Sequence, residues 1–141
     1  MKTPRRRARE FVVQGLYQFQ LNTSLSANEI ERNLQENEYF EKADLVLFRK
    51  IFYGVLQDFG TYMNRLMPLL DRPAEEVSPI ERATLLMACY ELSQMPETPY
   101  PVIINEAIET TKTYGGTDGH KFVNGILDKL AAVLRPDDPR R

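Results

Sequence analysis

One cysteine, Cys89, and one histidine, His120, are all that 141 residues supply of either type. A lone cysteine excludes an intramolecular disulfide, and the pair falls short of the ligands that a His/Cys zinc site needs. No metal and no cofactor is expected. No apolar run approaches the roughly 18 to 20 residues needed to span a bilayer, and no apolar segment of signal-peptide type follows the basic amino terminus. A soluble, cytoplasmic protein with no membrane contact is expected. No block of a single residue type appears, so disorder is excluded except at the ends. No segment alternates with period two between turn signals, and no repeat of fixed length is visible. Gly115-Gly116 lacks the later glycine and lysine of a phosphate loop.

The composition, 43% hydrophobic and 27% charged, suits one compact domain over residues 1–141 and excludes a multidomain enzyme. The net charge of -2 predicts no general polyanion binder. Its distribution is uneven. Lys2, Arg5, Arg6, Arg7 and Arg9 crowd a basic arm over residues 1–9, whereas Glu29, Glu31, Glu36, Glu38, Glu41 and Asp44 face only Arg32 and Lys42 from Asn28 to Asp44. Such asymmetry points to a nucleic acid at one end.

Helical periodicity runs through the chain. Ala8, Phe11, Val12, Gly15, Leu16 and Phe19 form one apolar stripe behind Thr3-Pro4, an N-cap with proline at the first helical position, so a helix is predicted over about 4–21. Ser26 and Glu29 form a capping box for a short helix over about 27–35. From Asp44, apolar residues from Leu45 to Leu70 keep helical spacing for roughly seven turns, read as one long helix bent or broken around Gly60. Ser78-Pro79-Ile80-Glu81 sets N-cap, proline and capping-box glutamate in register, opening an almost wholly apolar helix to about Ser93 that should be the most buried. A further helix is predicted from about Pro101 to Gly115-Gly116, and a last one from about Asp118 to Leu134, before a charged tail over about 135–141. The expected fold is all-α, a single domain of six or seven helices.

The inventory for catalysis is poor. His120 has no serine or cysteine nucleophile nearby in sequence, and Cys89 lies on a helix expected to be buried, where a thiol behaves as a small hydrophobe. No catalytic residue is assigned and no enzyme is expected. The arm is different, because cations in the first turns of a helix oppose its dipole and cost about 0.3 to 1 kcal/mol each. Backbone amides at the same end favour anions, so the arginines and the helix start together suit phosphate. Arg6, Arg9, Gln14 and Tyr17 lie off the apolar stripe and are expected to share one exposed face. The plainer alternative is a solubilising basic tip. In His120-Lys121-Phe122-Val123-Asn124-Gly125, Phe122 precedes the inward Val123 and stands beside a cation and an amide, as a base-stacking ring would. The plainer alternative there is a core phenylalanine.

Arg5-Arg6-Arg7-Ala8-Arg9-Glu10 with Gln14, Leu16, Tyr17 and Gln18 opens a series of motifs. It continues through Leu85, Ala88, Tyr90, Glu91 and Leu92, then Ile104-Asn105-Glu106-Ala107-Ile108-Glu109, then Lys121-Phe122-Val123-Asn124-Gly125-Ile126-Leu127-Asp128. In this order and spacing the chain resembles the bacterial transcription antitermination factor NusB family over almost its full length. The resemblance implies an all-helical RNA-binding factor that joins NusE, a small-subunit ribosomal protein, on single-stranded boxA RNA. Together with other Nus factors on RNA polymerase, that complex suppresses termination, notably in ribosomal RNA operons. By this resemblance Lys2, Arg5, Arg6, Arg7, Arg9, Gln14, Tyr17, Lys121, Phe122 and Asn124 would be the RNA surface, and Glu81 and Asp118 the NusE side. One departure is Leu86, where the family often has an arginine, which puts an ion pair of that residue with Glu106 in doubt. Two alternatives stay open. One is a non-catalytic domain related to ribosomal RNA cytosine methyltransferases, against which stands the lack of a methyl-donor-binding domain. The other is a helical protein-interaction scaffold without RNA.

Overall fold

A computed structural model of the chain describes residues 1–114 and 118–138. Among them are seven α-helices and no strand: α1 Pro4–Leu21, α2 Ala27–Leu34, α3 Leu45–Gln57, α4 Phe59–Leu66, α5 Pro79–Gln94, α6 Tyr100–Tyr114 and α7 Gly119–Leu134. The expected all-α class is the observed one. Gly115-Gly116, expected to end α6, lies outside the described residues.

Short polar signals start the helices. Thr3 Oγ1 accepts the Arg6 N–H at 3.1 Å ahead of Pro4, and Ser26 and Glu29 exchange reciprocal bonds of 3.1 Å at the start of α2. Each satisfies a backbone donor that the helix itself leaves orphaned. At α5 the expected capping box is only half formed. Ser78 Oγ accepts the Glu81 N–H at 3.2 Å, but the Glu81 carboxylate takes the Ser78 hydroxyl at 2.9 Å.

The long helix expected from Asp44 to Leu70 is two helices, and the break lies at Asp58 rather than Gly60. Asp58 leaves helical geometry at φ -133°, ψ 39° and ends α3 with its N–H on Val55 O at 3.2 Å. Packing sets this position. The turn lets Phe59 meet Phe19 at 5.2 Å between ring centroids and Tyr62 meet Tyr90 at 5.7 Å, while exposed Gly60 has open space around it.

Helix α5 is the axis of the domain, packed against α1, α3, α4, α6 and α7. Every residue from Ala83 to Leu92 is buried, as its nearly all-round apolar pattern demands. Its polar members have partners: Thr84 Oγ1 donates to Ile80 O at 3.0 Å, and Glu91 receives Arg9. A run of rings from Phe11 through Phe40 and Phe48 to Phe52, 5.1 to 5.3 Å apart, fills the space between α1 and α3. Gly15 permits that approach, because a Cβ there would lie 2.6 Å from Phe52 Cε1.

Arg135, expected in the charged tail, is buried instead. Its guanidinium donates to the carbonyls of Leu92, Met95 and Thr98 at 3.1, 2.8 and 2.6 Å, closing the carboxyl end of α5. A cation there meets both the orphan carbonyls and the negative end of the helix dipole, a contribution of up to ~2 kcal/mol in partly buried geometry.

Candidate nucleic-acid interface

Each cation of the arm meets a group of its own chain. Lys2 Nζ lies 2.9 Å from Glu10 Oε1, and Arg5 lies 3.8 Å from Asp44. Arg6 grips Glu106 with two nitrogens, at 2.6 and 3.3 Å, and the Arg7 guanidinium sits 4.8 Å from the centre of the Tyr39 ring. The side chains of Lys2, Arg5 and Arg6 nevertheless remain 46%, 50% and 37% exposed.

Arg9 departs from the expected exposed face. Its side chain is 3% exposed, bound to Glu91 at 2.8 Å and to Glu106 at 3.4 Å. The cause lies in the neighbouring helices: α5 and α6 wrap α1 beyond its apolar stripe, so every position from Ala8 to Val13 is buried. Burial works against the Arg9 charge, but the bonds and field of Glu91 outweigh it and raise its pKa. Burial likewise opposes ionisation of Glu106, yet Arg6 and Arg9 hold its carboxyl below the ordinary 4.5. Gln14 is half-buried and donates to the Tyr114 hydroxyl at 2.6 Å, and Tyr17 is half-buried too.

The second group lies at the start of α7. Lys121 is exposed and 3.3 Å from Asp118, and Asn124 is half-buried. Phe122 is neither wholly core nor wholly free. It packs on the core while the Arg72 guanidinium lies 4.6 Å from its ring centre, itself bound to Asp71 at 2.8 Å. Arg72 escaped sequence reasoning because only the tertiary fold brings the loop after α4 to α7. The Glu81 carboxylate reaches the start of α7 in the same region. A Cβ at Gly119, next to Asp118, would lie 3.4 Å from Glu81 Oε2, so the starts of α5 and α7 are adjacent, with Glu81 on one and Asp118 on the other.

A profile of the NusB family matches residues 6–132. The chain is 64% identical over 138 residues to the transcription antitermination protein NusB of Chromobacterium violaceum, covering 98% of this chain and 93% of that one. It is 61% identical over 141 residues to the protein of that name from Neisseria gonorrhoeae, covering 100% and 99%. The chain belongs to the NusB family of transcription antitermination proteins. A solved NusB structure from T. maritima superposes with a TM-score of 0.80 at 33% identity, over 93% of this chain and 92% of that one.

Against the NusB pattern, Leu86 is accommodated without an ion pair. It is fully buried, and Glu106 is held by Arg6 and Arg9 from α1. Cys89 is also fully buried, 4.0 Å from Tyr62 O, and burial pushes its thiol up to about 11, so it stays protonated at neutral pH. Among the described residues no group of three or more His, Cys, Asp or Glu side chains is placed to hold a metal ion, and no helix is long and apolar enough to cross a membrane.

Proposed function

We propose that this NusB-family chain binds single-stranded boxA RNA together with NusE and, with other Nus factors on RNA polymerase, suppresses termination, above all in ribosomal RNA operons. The observation that carries the reading is the state of the arm. Four cations stand at a helix start where the dipole opposes them, and Lys2, Arg5 and Arg6 stay substantially exposed despite their internal partners.

Magnitudes sort those cations. Exposed ion pairs contribute ~0–1 kcal/mol, so Lys2 and Arg5 exchange a carboxylate for an RNA phosphate at little cost. Breaking a buried pair costs about 3–5 kcal/mol, so Arg9 keeps Glu91 and acts by holding Glu106 against Arg6. Lys2, Arg5, Arg6 and Arg7 therefore take phosphates, with Gln14 and Tyr17 alongside. Lys121, Phe122 and Asn124 take a base at the second patch, where Arg72 swings off the ring. Glu81 and Asp118 offer carboxylates to NusE beside that patch. With a net charge of -2 the chain binds RNA weakly alone and gains affinity when NusE extends the contact surface.

A gel shift with boxA RNA, with and without NusE, tests this. Binding by the chain is expected to tighten at least tenfold when NusE is added. Equal shifts of boxA and a scrambled RNA, unchanged by NusE, would overturn it.

A further inference from the structure

We propose that Tyr39 is the stacking floor of a separate nucleobase subsite, in the cleft between the start of α1 and the turn that precedes α3. This rests on the RNA reading above and extends it to a residue outside both patches.

The turn presents the ring. Asn37 Oδ1 accepts the Tyr39 N–H at 2.8 Å, and Tyr39 O accepts the Lys42 N–H at 3.0 Å. The next residue, Phe40, is 2% exposed and packed edge-on against Phe11, so the backbone is anchored while Tyr39 itself is 43% exposed. A ring fixed in this way loses little conformational freedom when it takes a ligand.

The surroundings suit a nucleotide. Tyr39 lines a cleft of about 500 Å³ with Lys2, Arg7, Gln14, Asn37 and Tyr114, within the roughly 300–1,000 Å³ range of small-ligand sites. The Arg7 guanidinium and the Lys42 ammonium lie over the ring, 4.8 and 5.2 Å from its centre, where a base would replace one of them. Cations beside an exposed aromatic ring are the composition of single-strand sites, where the ring takes a base and the cations follow the backbone. The Gln14 amide and Tyr114 hydroxyl, joined at 2.6 Å, add polar groups for a base edge.

Charge orients the nucleotide. Glu36, Glu38 and Glu41 are exposed on and around the turn and repel phosphate, while Arg7 and Lys2, the latter shared with Glu10, attract it across the cleft. The backbone therefore follows the arm and the base faces Tyr39. Lys42, an exposed side chain, leaves the ring face to the base, and Arg7 stays to meet a phosphate.

The test uses the full chain and a 12-nucleotide single-stranded boxA RNA, titrated over a range of salt with the parent, Tyr39→Phe, Tyr39→Leu and Arg7→Ala. Tyr39→Leu is expected to weaken binding roughly 5-fold to 100-fold with the salt slope unchanged, and Tyr39→Phe to bind within about twofold of the parent. All variants should melt within a few degrees of the parent, since Tyr39 is exposed and the half-buried Arg7 makes only a cation–ring contact at the surface. A slope lowered by about 0.7 in Tyr39→Leu, as expected for Arg7→Ala, would show Tyr39 acting only through Arg7 and overturn the subsite. Loss in Tyr39→Phe equal to that in Tyr39→Leu would overturn stacking in favour of the hydroxyl. If Tyr39→Leu binds like the parent while Arg7→Ala weakens, the subsite falls and the RNA reading stands. If neither change matters, the subsite falls as well, and if the parent itself binds boxA RNA no better than a scrambled strand, both fall.

Discussion

Replacing Arg9 with methionine separates a structural arginine from the neighbours proposed to face RNA. The substitution keeps most of the aliphatic stem but strands the Glu91 carboxylate, whose side chain is 1% exposed, without its cation. Breaking one side of a buried pair costs about 3–5 kcal/mol. For a chain of this length each kcal/mol lowers the melting temperature by roughly 3–4 °C, so a fall of about 10–20 °C is expected by calorimetry or circular dichroism. The Arg9→Met/Glu91→Leu double variant should recover much of that loss, because two apolar groups in a buried site need no counter-charge. In RNA binding measured well below the melting point, Arg9→Met should leave the salt slope unchanged, as its guanidinium meets no phosphate. An Arg9→Met protein that melts within about 3 °C of the parent and loses about 0.7 from the slope would refute this reasoning.

Phe122→Leu should melt within a few degrees of the parent, since leucine keeps the core contact, yet lose roughly 5-fold to 150-fold in boxA affinity with the flat ring gone; full affinity would assign Phe122 to packing alone. Glu106 is held below its ordinary 4.5, so its stabilising contribution is fully present above about pH 4.5 and is lost as pH falls through its lower folded value. Glu106→Gln should therefore be less stable than the parent at neutral pH, and the gap should close as pH falls from about 5 towards 3; a gap independent of pH would contradict the network. Cys89, buried with its thiol at about 11, should resist iodoacetamide at about pH 8 in the native protein and react fully in denaturant; rapid native labelling would contradict its burial.

What the sequence makes legible here is local. Thr3-Pro4, Ser26 with Glu29, and Ser78-Pro79 act within one turn of themselves, so the helices they open begin where the residues say. The break at Asp58 is less legible because Phe19 and Tyr90, from distant helices, choose it over the more obvious Gly60. Arg9 and Arg135 read as surface charge because their partners lie far along the chain: Glu91 and Glu106 for one, the carbonyls of Leu92 to Thr98 for the other. The same distance hides Arg72 over Phe122. Tyr39 carries a faint signal, an aromatic residue in an acidic stretch with Lys42 three positions on, but Arg7 reaches it only through the fold.

The central claim is that the exposed arm reads phosphate while its buried arginine does not. The most direct test measures the salt dependence of boxA RNA binding, with NusE present, for the parent and for the Lys2→Ala/Arg5→Ala/Arg7→Ala variant. The expected result is a slope of log K against log salt reduced by roughly 0.7 per lost contact, about 2 in all, with melting unchanged or slightly raised. An unchanged slope in a folded variant would contradict the account.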